Sequence, residues 1–259
     1  TMERLLDVAM SIKNPKNRFP IVCLSVVDDD QKAQQRLIDA KKMLDGAIMH
    51  AASADQSVEI ITTISQNVSG GIRRVAREIF ATDIVMGFSL KKQFSDILFG
   101  NVIKDIVENT WQLVWICSIS PDIYQFKKIN IVCPRYSDLE YGFNQWLDRI
   151  SLLADTLKVS ISICAPVKTF EHIIKQFKRN KNGSAINHFE FNRWEDFLQI
   201  SSFIHPNDLN LIILPRKGGV AYENSQEGIP RLMAKNFENF NFILVYPAIM
   251  DMDQELMFD

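Results

Sequence analysis

One feature of the chain constrains its fold more than any other: the same alternation of strand-length and helix-length apolar patterns runs through it twice. The first round opens on an amphipathic helix over Met2–Lys13, with Leu5, Leu6, Ala9 and Ile12 on one stripe. It continues with a strand over Phe19–Val27, a helix over Gln31–Ala52, a strand over Val58–Ile64, a helix over Ser69–Phe80 and a strand over Asp83–Phe88. A polar loop, a helix over Asn101–Glu108 and a strand over Trp111–Cys117 close it. Pro121 and Asp122 then interrupt the pattern. The second round reads strand Lys128–Cys133, helix Asp138–Leu157, strand Val159–Cys164, helix Thr169–Arg179, strand Ile186–Phe191, helix Trp194–Ile204 and strand Leu209–Leu214. A glycine-containing loop, helix Pro230–Phe237 and strand Phe240–Tyr246 complete it. Strands alternating with helices predict parallel β-α-β units, and hence an α/β protein with helices on both faces of its sheets.

Aligned element by element, the rounds differ in one place: the first lacks its opening strand. The expected division is residues 1–122 for half one, truncated at its start, and 123–259 for half two. A parallel sheet without that strand leaves backbone groups unpaired, at about 1–3 kcal/mol each. The expectation is that the chain is part of a longer one.

Composition narrows the function classes. Net charge is −2, so no bulk attraction to nucleic acid is expected. Cys23, Cys117, Cys133 and Cys164 each lie in an apolar run without C-x-x-C spacing, which reads as small hydrophobes in a reducing compartment. No apolar run reaches the ~18 residues of a membrane span. His50, His172, His188 and His205 show no metal-ligand spacing, and no nucleophile elbow, Walker loop or zinc-protease motif occurs. Asp28-Asp29-Asp30 follows a strand and precedes a helix, where acids cap and complement the dipole. No catalytic set can be named, and a non-enzyme is expected.

The loops after the fourth strand position of each half carry the candidate site. Half one reads Gly87-Phe88-Ser89-Leu90, nine residues, then Gly100-Asn101. Half two reads Pro215-Arg216-Lys217-Gly218, nine residues, then Gly228-Ile229, with Gly219 directly after Gly218. Glycines let backbone N–H groups approach phosphate oxygens, and a final glycine leading into a helix start offers that helix's orphan donors. Arg216 and Lys217 add positive charge.

This element order and loop resemble the universal stress proteins, whose ATP-binding members have a loop of the form G-2x-G-9x-G-[S/T]. Each half keeps two of the three glycines; Leu90 and Pro215 replace the others, and Asn101 and Ile229 replace the final hydroxyl residue. The family also places an Asp at the end of strand one, where half two has Cys133-Pro134-Arg135. The resemblance implies ATP or another adenine nucleotide as the candidate cofactor, held by Gly87, Ser89, Gly100 and Asn101 in half one and by Arg216, Lys217, Gly218, Gly219 and Gly228 in half two. Half two is the better candidate.

Tandem domains resembling this one form the cytoplasmic carboxyl-terminal region of bacterial sodium(potassium)/proton antiporters, and Met2-Glu3-Arg4-Leu5-Leu6-Asp7-Val8-Ala9 resembles their first helix. That resemblance implies a regulatory domain on the cytoplasmic side of the bacterial inner membrane, with a membrane transport domain upstream and a homodimeric assembly. The alternative is a free-standing tandem universal stress protein that binds ATP. In either case the strands Trp111–Cys117 and Phe240–Tyr246 are apolar, aromatic and without edge charges, so they are expected to pair with each other inside the chain, burying Trp115 and Phe242.

Overall fold

The computed structural model describes residues 2–88, 97–179 and 186–251. In the first half α1 (Met2–Ile12), β1 (Ile21–Asp28), α2 (Ala33–Ala52), β2 (Val58–Ser65), α3 (Val68–Glu78), β3 (Asp83–Gly87), α4 (Ile97–Asn109) and β4 (Leu113–Ser118) follow in order. A short 3-10 turn at Ile123–Gln125 leads into β5 (Lys128–Val132), α5 (Phe143–Leu157), β6 (Ser160–Cys164), α6 (Val167–Arg179) and β7 (Ile186–Phe189). A 3-10 helix over Trp194–Ser202, then β8 (Leu209–Ile213), α7 (Ile229–Asn236) and β9 (Asn241–Tyr246) complete the chain.

Seven strands form one sheet in the order β3-β4-β9-β8-β5-β6-β7, and β1 and β2 form a separate parallel pair. All pairings in the large sheet are parallel except that of β4 with β9. Half two thus has its first strand, β5, at the centre, flanked by β6 and β8. In half one the corresponding flanking strands are β1 and β3, and they belong to different sheets. Among the described residues no strand joins β1 to β3, so the sheet is interrupted between them.

That break shows in burial. Every residue of β8, and all of β5 but Lys128, is buried. In β1, by contrast, Ile21, Val22, Cys23, Leu24 and Val26 are only half-buried, although their apolar character is the same. Backbone polarity follows suit. Ile21 donates its N–H to Ser57 O of the β2 side at 3.0 Å. Because N–H directions alternate along a strand, those of Val22, Leu24 and Val26 point away from β2. On the other side, Phe88 donates to Cys117 O at 2.7 Å, so the N–H groups of Val85 and Gly87 point away from β4.

The two halves join through β4 and β9, antiparallel, with Val114 opposite Tyr246 and Trp115 opposite Val245. Trp115 and Phe242 are both fully buried, as the unblunted apolar edges required. Two cores lie on opposite faces of the sheet. One packs α1, α5 and α6 on Trp115, Ile131, Ile163 and Val245; the other packs α4, α7 and the Trp194–Ser202 helix on Val114, Ile116, Ile212 and Leu244. Alternate residues of β4 serve the two faces, so the strand carries no polar side.

Polar contacts staple the halves at both ends. Arg149 of α5 grips Asp83 of β3 with Nε and Nη2 at 3.0–3.3 Å, and Trp115 Nε1 donates to the same carboxylate at 3.2 Å. Beneath the sheet a chain of buried amides crosses β5, β8 and β9. Asn130 Nδ2 donates to Asn210 Oδ1 at 2.9 Å, Asn210 Nδ2 to Asn241 O at 3.0 Å, and Asn241 Oδ1 accepts Ser120 N–H at 2.9 Å.

Several local expectations are adjusted. The stretch expected as one helix from Asp138 is a 3-10 turn at Ser137–Leu139 followed by α5, which leaves Leu139 exposed. Trp194–Ser202 is 3-10 rather than α-helical. On α2, Leu44, Ala47 and Ala51 are buried, but Ile48 is exposed; a lone two-stranded pair gives a long helix too little surface to bury a wide stripe. Asp30 does not cap α2. Its Oδ1 accepts Lys32 N–H at 2.8 Å and pairs with Arg36, closing the turn ahead of the helix.

Candidate functional site

The two glycine loops open from the C-terminal ends of β3 and β8, which is where ligands bind in open α/β sheets. In half two Gly218 has φ +91°, a conformation that favours glycine, and open space beside it. Gly219 has a carboxylate beside it instead. A Cβ there would lie 2.6 and 2.8 Å from the carboxylate oxygens of Glu140. Glu140 follows the 3-10 turn between β5 and α5, and its Oε1 accepts the Ala221 N–H at 2.7 Å. A carboxylate of the chain itself thus stands against the glycine loop and takes one of its backbone donors. Gly228 is the N-cap of α7, with φ −80° and no side-chain cap, so the helix start is where the sequence places it.

Arg216 does not face the loop opening. It is buried, and its guanidinium donates to main-chain carbonyls on two sides. Nε reaches Pro247 O at 2.9 Å, Nη1 reaches Val107 O at 2.8 Å and also Thr110 O, and Nη2 reaches Gln112 O. It closes the C-terminal end of α4, whose last carbonyls lack helical partners, and ties half two to half one. Burial lowers its pKa to about 10, which still leaves it charged at neutral pH. The expectation that Arg216 offers its charge to a bound anion is corrected accordingly: its donors are already committed to carbonyls. Lys217, next to it, is exposed and has no ion pair among the described residues.

In half one Gly87 ends β3 beneath α1, where a Cβ would lie 3.3 Å from Leu5 Cδ1. Gly100 and Asn101 fall inside α4, a turn after its first residue, so the expectation that they mark the helix start is corrected. Ser89 and Leu90 lie outside the described residues. Of the half-one loop only Gly87 and Phe88 lie among the described residues ahead of α4. Phe88 and Pro215–Lys217 lie on the wall of a cavity of about 540 Å³ between the halves.

That cavity is floored by Ile116 of β4 and by Leu244 and Tyr246 of β9, and walled by α4 and α7. Burial keeps the Tyr246 phenol protonated by pushing its pKa up, with Arg216 pulling the other way. Nothing in the sequence marked this cavity, because its floor strands read as core. Glu140 was equally silent, because the sequence reads it as part of a helix over Asp138–Leu157.

Cys117, Cys133 and Cys164 are buried thiols, and burial pushes the pKa of Cys164 up to about 12. His50 bonds Asp7 at 2.6 Å, His172 bonds Asp138, and His188 bonds Ala165 O at 2.9 Å while stacking on Phe170. Among the described residues no group of three or more His, Cys, Asp or Glu side chains could hold a metal, and no helix is long and apolar enough to cross a membrane.

No protein-family model matches the chain, and none of the curated proteins does. Solved structures do. A universal stress protein of Archaeoglobus fulgidus matches at TM-score 0.57 and 11 % identity, over 95 % of this chain and 91 % of that one. A protein of unknown function from Pseudomonas aeruginosa matches at 0.53 and 13 %, over 92 % and 94 %. The cytoplasmic domain of a prokaryotic cation chloride cotransporter matches at 0.54 and 14 %, over 92 % and 88 %. The chain therefore has the α/β fold of these structures, a parallel-dominated sheet flanked by helices.

Proposed function

We propose that the chain is the non-catalytic regulatory domain of a bacterial cation/proton antiporter, held on the cytoplasmic side of the inner membrane by an upstream transport domain and working as a homodimer. The observation that carries this reading is the break between β1 and β3. A strand delivered into that break by the preceding part of a longer chain ties the domain mechanically to whatever that chain does. The fold likeness to a cotransporter's cytoplasmic domain supports the same attachment. Regulation then works by biasing the transporter between states that contact the domain differently.

A free-standing ATP-binding stress protein is the second reading, favoured by the likeness to a universal stress protein. Glu140 weighs against it, since a carboxylate already lies against the loop that would take phosphate. The test is cation/proton exchange in everted membrane vesicles, with the longer protein intact or cut before Met2. The reading expects exchange to survive the cut with an altered dependence on pH or cation. A longer protein without a membrane-spanning region, or exchange indifferent to the cut, overturns it.

A further inference from the structure

The cavity between the halves has a composition that selects its ligand. Its surface is mostly apolar: Phe88, Ile103, Val107, Ile116, Leu244 and Ala234 among others. The charged residues lining it are Lys104, Arg216, Lys217 and Arg231 against Glu108 and Glu227, four positive and two negative. The two acids are engaged: Glu108 lies 3.9 Å from Lys104 Nζ, and Glu227 accepts the Tyr222 hydroxyl. Lys217 and Arg231 are exposed and have no ion pair among the described residues. Tyr246 adds a neutral phenol to the lining.

We propose that this cavity binds a single-chain amphipathic anion, with its alkyl or acyl body along the Ile116–Leu244 floor and its anionic head between Lys217 and Arg231. A volume of about 540 Å³ lies within the range of small-ligand sites. A nucleotide fits poorly by the same reasoning. Its base and ribose need several fixed hydrogen-bond partners; the floor strands offer only Tyr246, and of the other polar lining groups Tyr222 and Glu227 are bonded to each other. The walls come from different halves, α4 from one and α7 from the other. A bound chain therefore bridges them and is placed to alter how they pack. This proposal does not depend on the antiporter reading, because the chain alone suffices to test it.

The experiment is titration calorimetry of the chain with dodecyl phosphate below its micelle concentration, with dodecyltrimethylammonium and ATP as comparisons. The expected result is saturable binding of dodecyl phosphate near one per chain and none of the cationic amphiphile. Lys217→Glu combined with Arg231→Glu weakens binding at least tenfold. Ala234→Trp, which fills the cavity from α7, abolishes it; Ile103→Trp does the same from α4 should the first variant fail to fold. Binding untouched by both tryptophans overturns the proposal, as does equal binding of the cationic amphiphile or no binding at all. ATP binding that Ala234→Trp abolishes also overturns it, since the cavity would then take a polar body.

Discussion

At the scale of single residues, two side chains decide what the glycine loops can do. Glu140 takes the Ala221 N–H and must shift to admit a side chain at position 219. The half-two loop is accordingly expected to bind ATP weakly or not at all; calorimetry showing micromolar ATP that depends on Gly218 and Gly219 would contradict this. Glu140→Ala should cost about 1–2 kcal/mol in urea unfolding, through the lost charge-assisted bond. Inorganic pyrophosphate should raise its melting temperature but not that of the wild type, and adding Gly218→Val should remove that response. Arg216 decides a different matter. Replacing it with Met strands the carbonyls of Val107, Thr110, Gln112 and Pro247, and should cost about 3 kcal/mol or more by denaturant unfolding. A loss under 1 kcal/mol would show that water reaches them. In sequence Arg216 and Lys217 look alike, two cations beside glycines. Only the packing of α4 against β9 separates the buried staple from the free charge.

At the scale of elements, the strands were legible because parallel strands buried on both faces read as unbroken apolar runs. The same property hid the Asn130–Asn210–Asn241 chain, since one amide in an apolar run does not alter the pattern. It also hid the cavity, whose floor is built of core strands. Element ends were less legible. Gly100 looked like a helix start because a glycine before a polar residue often is one, yet α4 begins earlier. The pairing of β4 with β9 followed from a physical necessity rather than a motif: two apolar edges without charge must cover each other. Val114 lies at one end of that seam, opposite Tyr246, fully buried on the α4 and α7 face. Val114→Lys should therefore destabilise both halves together, by about 3 kcal/mol or more for an unpaired buried charge. A single unfolding transition shifted as a whole is the expected outcome. Two separated transitions, with half two unaffected, would mean that the halves fold independently.

At the scale of the whole molecule, half one is a fold with its central position open. Its helices pack, its outer strands pair, and α1 lies against α5 of the other half, yet β1 stays half-buried where β5 and β8 are sealed. In the proposed longer protein a strand lies between β1 and β3 and joins the two sheets into one. The amides that such a strand would engage are those of Val22, Leu24, Val26, Val85 and Gly87, while Cys23, Val27 and Met86 already point toward their partners β2 and β4. Native-state hydrogen exchange, compared between this chain and the longer protein that contains it, tests this most directly. The account predicts that the first five amides exchange at least a hundredfold more slowly in the longer protein, while those of β5 and β8 change little. Equal exchange of Val22, Leu24, Val26, Val85 and Gly87 in both proteins would contradict it.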